Sequence, residues 1–340
     1  MSGKKLNNTV LKIAALFFLI FFLILYMVFW KGNHFAEQAK FITISKGQSF
    51  SSVADSLQAR GIISSSSTFK IAGRFLGVTQ KMRIGKYSFV SGLSNTEILN
   101  DIKGGVSTIY SKVTIVEGTR VKQIAKVLHR EVGIDSARFI SYMNDTSLIG
   151  IYPNKSKSLE GYLLPDTYDF FWQDDEKEII KRLITEFREF YVDSLQQRAK
   201  AMKMSLNEVL TMASIVEGEA MYDDERPIIA GVYYNRLKKR MRLQADPTVQ
   251  YAVSDVPKRL SRNDLKIDSP YNTYEHYGLP PGPINNPGRK SILAALYPAK
   301  HQFLYFVSNY NGRHRFSRTY EEHQRHVREY RKARALASGR

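Results

Sequence analysis

The sequence predicts an α+β protein: an N-terminal membrane-spanning helix, small strand-helix-helix modules, then a mixed α+β domain with a helical core. Three observations predict it. Every residue from Ile13 to Trp30 is uncharged and almost all are apolar. A strand-then-helix pattern that begins at Phe41 returns 71 positions later. From Asp174 onward the apolar residues fall at helical spacing, with charges opposite, which is the signature of amphipathic helices packed on a core.

The stretch 11–30, LKIAALFFLIFFLILYMVFW, is long enough to span a bilayer. Lys4, Lys5 and Lys12 precede its apolar run, and Tyr26 and Trp30 stand near its far end. That pattern predicts residues 1–10 as a cytoplasmic tail, an aromatic belt at the outer interface, and the rest of the chain outside. A cleaved signal peptide is the rival reading, but the run is long for one and no small-x-small cleavage site follows. Residues 31–40 read as a juxtamembrane linker.

FITI at 41–44 alternates as a strand and turns at Gly47; Phe50, Val53, Ala54 and Leu57 then share one helix face, and Gly61 ends the helix. In the second copy, Thr114, Ile115, Gly118, Ala125 and Leu128 match Thr43, Ile44, Gly47, Ala54 and Leu57. Each copy continues into a Ser-x-x-Phe element, Ser66 to Phe69 and Ser136 to Phe139, read as the N-cap of a second helix. The module is therefore duplicated, with the second copy at 112–145. Between the copies, KYSFV (86–90) reads as a strand, and Ser94 with Glu97 makes a capping box ahead of Ile98, Leu99 and Ile102. Residues 41–110 resemble LysM modules, which bind the N-acetylglucosamine-containing glycan of peptidoglycan; a plain spacer between membrane and enzyme is the alternative.

Ile179, Ile180, Leu183, Ile184, Phe187 and Tyr191 form an ordinary core stripe. The next helix opens with a Ser205/Glu208 capping box and is apolar around most of its girth, which predicts burial. At about 100° per residue, Glu217 falls inside its apolar stripe, whereas Glu219 falls at the edge near Glu208. A carboxyl held in an apolar wall stays protonated near neutral pH and suits a general acid. Alternatively, Gly218 ends the helix and Glu217 turns back to solvent.

Farther on, Gln244, Asp246, Thr248 and Tyr251 form a polar and aromatic run suited to holding hydroxyl and acetamido groups. Asp246 before Pro247 also reads as a cap. The tyrosine-, asparagine- and proline-rich stretch 269–288, which contains Asn272, reads as a rigid loop beside a cleft or as a cover over the core.

The formal net charge of +18 directs the chain to anionic partners. With the soluble part across the membrane, nucleic acid is not among them and the cell envelope is. The absence of cysteine excludes disulfides, thiolate zinc sites and a cysteine nucleophile. His314, His323 and His326 do not fit the HExxH pattern of a metalloprotease, so no metal site is expected, and no G-x-S-x-G elbow or P-loop occurs.

Six motifs in order, SLEGYLLPDTY (158–168), ASIVEGEA (213–220), YYNRL (233–237), MRLQADPTVQY (241–251), YNTYEHYGLPPGPINNPG (271–288) and LYFVSN (304–309), resemble the endolytic murein transglycosylases of the YceG-like family. The resemblance covers nearly the whole chain, with 111–340 as the catalytic domain. It implies non-hydrolytic cleavage of the bond between N-acetylmuramic acid and N-acetylglucosamine in peptidoglycan, leaving 1,6-anhydro ends and needing no cofactor. It also implies a single-pass protein of the inner membrane that works beside peptidoglycan synthases, the penicillin-binding proteins. The glutamate of the IVE motif is the catalytic residue in that family, which corresponds to Glu217 here. Gly218 stands where relatives commonly carry lysine. Because the sugar's own 6-hydroxyl can attack, one carboxyl can serve as acid and then base. Glu219 is the runner-up or a support, and Gln244, Asp246, Thr248, Tyr251 and Asn272 are the expected glycan-binding residues. The alternative from another class is a non-catalytic peptidoglycan-binding scaffold that recruits cell-wall synthases.

Overall fold

A computed structural model describes residues 8–149, 158–309 and 312–337. Most of the expected cytoplasmic tail, 1–7, lies outside the described residues. The chain forms two compact units. One reaches to Lys112 and takes in Glu131–Gly133 and Asp169–Asp174; the other comprises Val113–Arg130, Ile134–Tyr168 and the chain from Asp175.

The first unit begins with α1 (Asn8–Phe29), one helix long and apolar enough to cross a membrane. After it come β1 (Ala39–Ile44), α2 (Phe50–Ala59), α3 (Ser66–Phe75), β2 (Gly85–Val90), α4 (Asn95–Gly104) and β3 (Thr108–Ile109). The strands make an antiparallel sheet in the order β1-β2-β3, with Ala39 opposite Val90 and Ile44 opposite Gly85. Alternation puts Ile42, Ile44, Tyr87 and Phe89 on its buried face. Against them lie Phe50, Val53, Ala54 and Leu57 of α2, the four residues the spacing selected. The Ser94/Glu97 capping box of α4 forms as expected. The cap of α3 is Ser65 rather than Ser66, because Ser65 takes the extended conformation from which its hydroxyl accepts the Thr68 N–H. The short helix of the second copy is likewise capped one residue earlier than read, by Asp135 instead of Ser136.

The elements that follow are β4 (Ser111–Thr114), α5 (Val121–Val132), α6 (Ser136–Tyr142), β5 (Thr167–Phe170), α7 (Glu176–Phe190), α8 (Asp193–Ala201), α9 (Leu206–Glu219) and α10 (Arg226–Lys238). Then come α11 (Asp246–Val253), α12 (Arg289–Leu296), a hairpin of β6 (Tyr305–Asn309) and β7 (Arg313–Ser317), and α13 (Tyr320–Ala337). β4 and β5 pair as a two-stranded ladder.

The second unit is organised around α9. Its Ser205/Glu208 capping box is present, and every residue from Val209 to Val216 is buried. Packing by α8, α10, α11 and α12 explains the uniform burial. At about 2 kcal/mol per large side chain, Val209, Leu210, Met212, Ile215 and Val216 together contribute on the order of 10 kcal/mol before entropy is charged against them. The helix that carries both candidate glutamates is thus held on all sides through its middle, and its two end turns reach the surface.

Candidate active site

In that last turn Glu217 is nearly enclosed, its side chain 6% exposed, yet its surroundings are not apolar. Arg226 Nη1 donates to Oε1 at 2.9 Å, and the Gly288 N–H donates to Oε2 at 2.9 Å. Gly288 is the N-cap of α12, so its N–H has no intrahelical carbonyl to meet and can serve an anion. Neither sequence-based picture describes this carboxyl, which is buried among polar partners rather than set in an apolar wall or turned to solvent. Both partners lie outside α9, Arg226 at the start of α10 and Gly288 before α12, out of reach of a helical-wheel argument.

Arg226 is the hub of the cluster. At 7% exposure it reaches Glu217, Asp223 at 3.1 Å and Glu117 at 3.7 Å, and donates to Ser291. Asp223 also pairs with Lys290. The cation beside Glu217 is therefore an arginine from α10, while a side chain at position 218 would require Pro247 to shift, since its Cβ would lie 2.7 Å from that ring.

Glu117 was not singled out from the sequence. It lies in Ile115-Val116-Glu117-Gly118, the same tetrapeptide as Ile215-Val216-Glu217-Gly218, and that repetition is the signal that would have found it. The two copies meet in space. A Cβ on Gly118 would touch Glu217 Cγ at 3.4 Å, and one on Gly288 would fall 1.9 Å from Glu117 Oε1. Partial burial, and then the charge of Glu217, raise Glu117 above the ordinary carboxyl range, with Arg226 opposing.

Asn286 ties these loops together from a fully buried position. Its Oδ1 accepts from the Gly161 and Leu163 N–H groups at 2.9 and 3.1 Å, and its Nδ2 donates to the Thr119 carbonyl and Glu160 Oε1, both at 2.9 Å. Glu160 also accepts from the Val121 N–H at 3.0 Å, at the start of α5. Burial pushes Glu160 up to about 7.

A cleft of about 630 Å³ opens beside the C-terminal turn of α9, lined by Glu219, Asp246, Asn285, Arg120, Lys258 and Arg259 among others. Glu219 accepts from the Tyr233 hydroxyl at 2.8 Å. Burial pushes it up to about 7; the Tyr233 hydrogen bond opposes that shift, and the charge of Asp246 adds to it. A carboxyl raised by burial thus stands on the same helix two residues beyond Glu217.

Of the five expected glycan-binding residues, Asp246 lines the cleft, where the Tyr274 hydroxyl donates to its Oδ1 at 2.6 Å. Thr248 is buried, its hydroxyl bonded to the Ala245 carbonyl at 2.8 Å and the Thr273 hydroxyl at 2.9 Å. Asn272 is buried too, donating to the carbonyls of Leu265 and Ile267, and so shapes the loop. Tyr251 packs on Tyr271 and lies under the Arg120 guanidinium, 5.0 Å from its ring centre, backing a residue of the cleft wall. Gln244 is exposed and holds the left-handed conformation at φ 50°, with its N–H bonded to the Thr273 carbonyl. The histidines have structural partners: His314 with Glu225 at 2.9 Å, His326 with the Ser317 hydroxyl at 3.0 Å, and His323 stacked on Tyr305.

Fold and site together define an α+β protein with a carboxylate-lined cleft at the end of a buried helix. The chain belongs to the YceG-like family, whose model matches residues 42–329. It is 35% identical over 303 residues to the endolytic murein transglycosylase of Bacillus subtilis (strain 168), covering 85% of this chain and 84% of that one. It is 28% identical over 331 residues to the protein of the same name from Streptococcus pneumoniae (strain D39), covering 87% of this chain and 59% of that one. A crystal structure of a yceG-like protein from Listeria monocytogenes superposes with a TM-score of 0.61 at 34% identity, over 85% of this chain and 99% of that one.

Proposed function

We propose that the protein is an endolytic murein transglycosylase, a lyase that cuts peptidoglycan glycan strands. The carrying observation is the family membership, with two relatives of that name matched over most of this chain. In the reaction, Glu217 gives a proton to the glycosidic oxygen as the bond from C1 of N-acetylmuramic acid breaks. The resulting carboxylate then takes the proton of that sugar's 6-hydroxyl, whose oxygen closes on C1. One bond is broken and one made, no water enters, and Glu217 ends as it began. Arg226 and the Gly288 N–H, each 2.9 Å from a Glu217 oxygen, hold the carboxylate of the intermediate stage. Asp246 binds glycan in the cleft, with Gln244, Thr248, Tyr251 and Asn272 shaping its surroundings.

One observation favours a second assignment of the acid. Glu219 lines the cleft and is held up to about 7, where a general acid is effective at neutral pH. Around the enzyme we place an inner-membrane anchor in α1 with its N-terminus cytoplasmic, and penicillin-binding synthases as partners. A LysM-like glycan-binding role for the first unit is supported by its strand-helix-helix-strand order with the two strands antiparallel.

Mass spectrometry of peptidoglycan digested by the full-length protein tests the reading. The expected result is 1,6-anhydro-muramyl ends from the unaltered protein and from Glu219→Gln, and none from Glu217→Gln. Activity lost in Glu219→Gln but kept in Glu217→Gln moves the acid to Glu219. Reducing ends would mean hydrolysis, and bound glycan without products would mean a scaffold.

A further inference from the structure

The end of α1 is not a free tether. Val28 is buried in the core of the first unit. At the helix terminus, Asn95 Nδ2 donates to the Val28 carbonyl and Thr96 Oγ1 to the Phe29 carbonyl, both at 2.8 Å. Two side chains from the start of α4 thus satisfy carbonyls that a helix end leaves without intrahelical partners. The linker is fastened as well, for Asn33 is buried and donates to the Leu93 carbonyl at 3.0 Å. The direction of α1 therefore fixes which face of the unit meets whatever surrounds the helix end.

That face is apolar. Phe75, the last residue of α3, is 84% exposed, and its ring lies 5.8 Å from that of Phe29. Ile71, one turn earlier on α3, is 53% exposed, and the Trp30 ring lies 5.5 Å from that of Phe29. A single exposed phenylalanine would call for no explanation. Here the exposed side chains gather at the end of a 20-residue apolar stretch, Val10–Phe29, which at 1.5 Å per residue is about 30 Å long, the thickness of a bilayer's hydrocarbon core. Aromatic rings at that level belong to the headgroup region. Arg74 and Lys31, both exposed beside this cluster in the sequence, carry the charge that lipid phosphates attract.

We infer that the first unit docks on the bilayer that α1 crosses, with Phe75 and Ile71 of α3 seated at the headgroup level beside Trp30. The inference rests on the reading of α1 as a membrane anchor. It makes the unit a surface-bound platform of fixed tilt rather than a domain on a string.

The absence of cysteine makes the test direct, since one introduced cysteine takes one spin label. Full-length Phe75→Cys, Val106→Cys and Leu19→Cys are each labelled with a nitroxide and placed in vesicles of phosphatidylcholine and phosphatidylglycerol. Relaxation by oxygen and by a water-soluble nickel chelate then reports depth. Val106 is 83% exposed and follows the C-terminal end of α4, about 15 Å along that helix from the residues that hold α1. The oxygen-to-nickel ratio should be several-fold higher at position 75 than at 106, and highest at 19. Equal, water-like ratios at 75 and 106 with a hydrocarbon ratio at 19 would overturn the docking. A water-like ratio at 19 would instead overturn the anchor on which it rests.

Discussion

Replacing Asn286 by alanine should cost the protein both stability and turnover. Four hydrogen bonds end on its carboxamide, and the residue is fully buried. The Thr119 carbonyl would keep the Asn286 backbone N–H, and Glu160 would keep the Val121 N–H. The Gly161 and Leu163 N–H groups would be left with no partner in a space the size of a carboxamide. At about 1–3 kcal/mol for each buried group left unsatisfied, the expected loss is roughly 3–4 kcal/mol, allowing for a water that enters. Urea unfolding measures it as a fall in midpoint at unchanged slope. Turnover should fall further than the folded fraction does, because the same carboxamide holds the loops bearing Glu117 and Gly288 against Glu217. A loss below about 1 kcal/mol with full turnover would refute the reasoning that Asn286 assembles the site.

Three further outcomes are expected. Glu160 is held up to about 7 against 4.5 for a free carboxyl, so the folded protein keeps a proton that the unfolded chain releases first, and stability falls as pH rises through that window. Urea midpoints taken between pH 4.5 and 8 should lose about 3 kcal/mol of that dependence in Glu160→Gln, and an unchanged slope would contradict the burial argument. Tyr233→Phe removes a donor that favours the charged form of Glu219, so the Glu219 titration followed by carbon NMR should move upward; no movement would show that the hydroxyl is not engaged. Gly288→Ala places a methyl 1.9 Å from Glu117 Oε1, and because the Glu117 side chain is 44% exposed it can swing away. Stability should change by less than about 1 kcal/mol while turnover drops roughly tenfold, and full activity would show that the placement of Glu117 is immaterial.

What the sequence made legible was local. The buried stripe of α7, the capping boxes at Ser94 and Ser205, and the matched helix faces of α2 and α5 follow from spacing within one element. The alternating residues of β1 and β2 did too. Partners of a side chain were not legible when they came from elsewhere: Gly288 lies 71 residues from Glu217 in sequence. Polar composition also misleads, because Thr248 and Asn272 look equally suited to a ligand and to their own backbone, and the structure spends both on the latter. Glu117 was visible in principle, as the twin of a motif already noticed, but nothing within its own segment says that two copies of a tetrapeptide will meet.

That meeting sets a lower limit on how far the protein can be trimmed. A fragment cut at Asp174, where the strongly helical sequence begins, would retain α9 whole with both of its glutamates. It would nevertheless lack Gly118 and Arg120 from the cleft wall, Glu117 from its place against Gly288, and the Glu160 and Gly161 anchors of Asn286. A piece that keeps these contacts therefore starts no later than Glu117, and so takes in the second copy of the repeat along with α9.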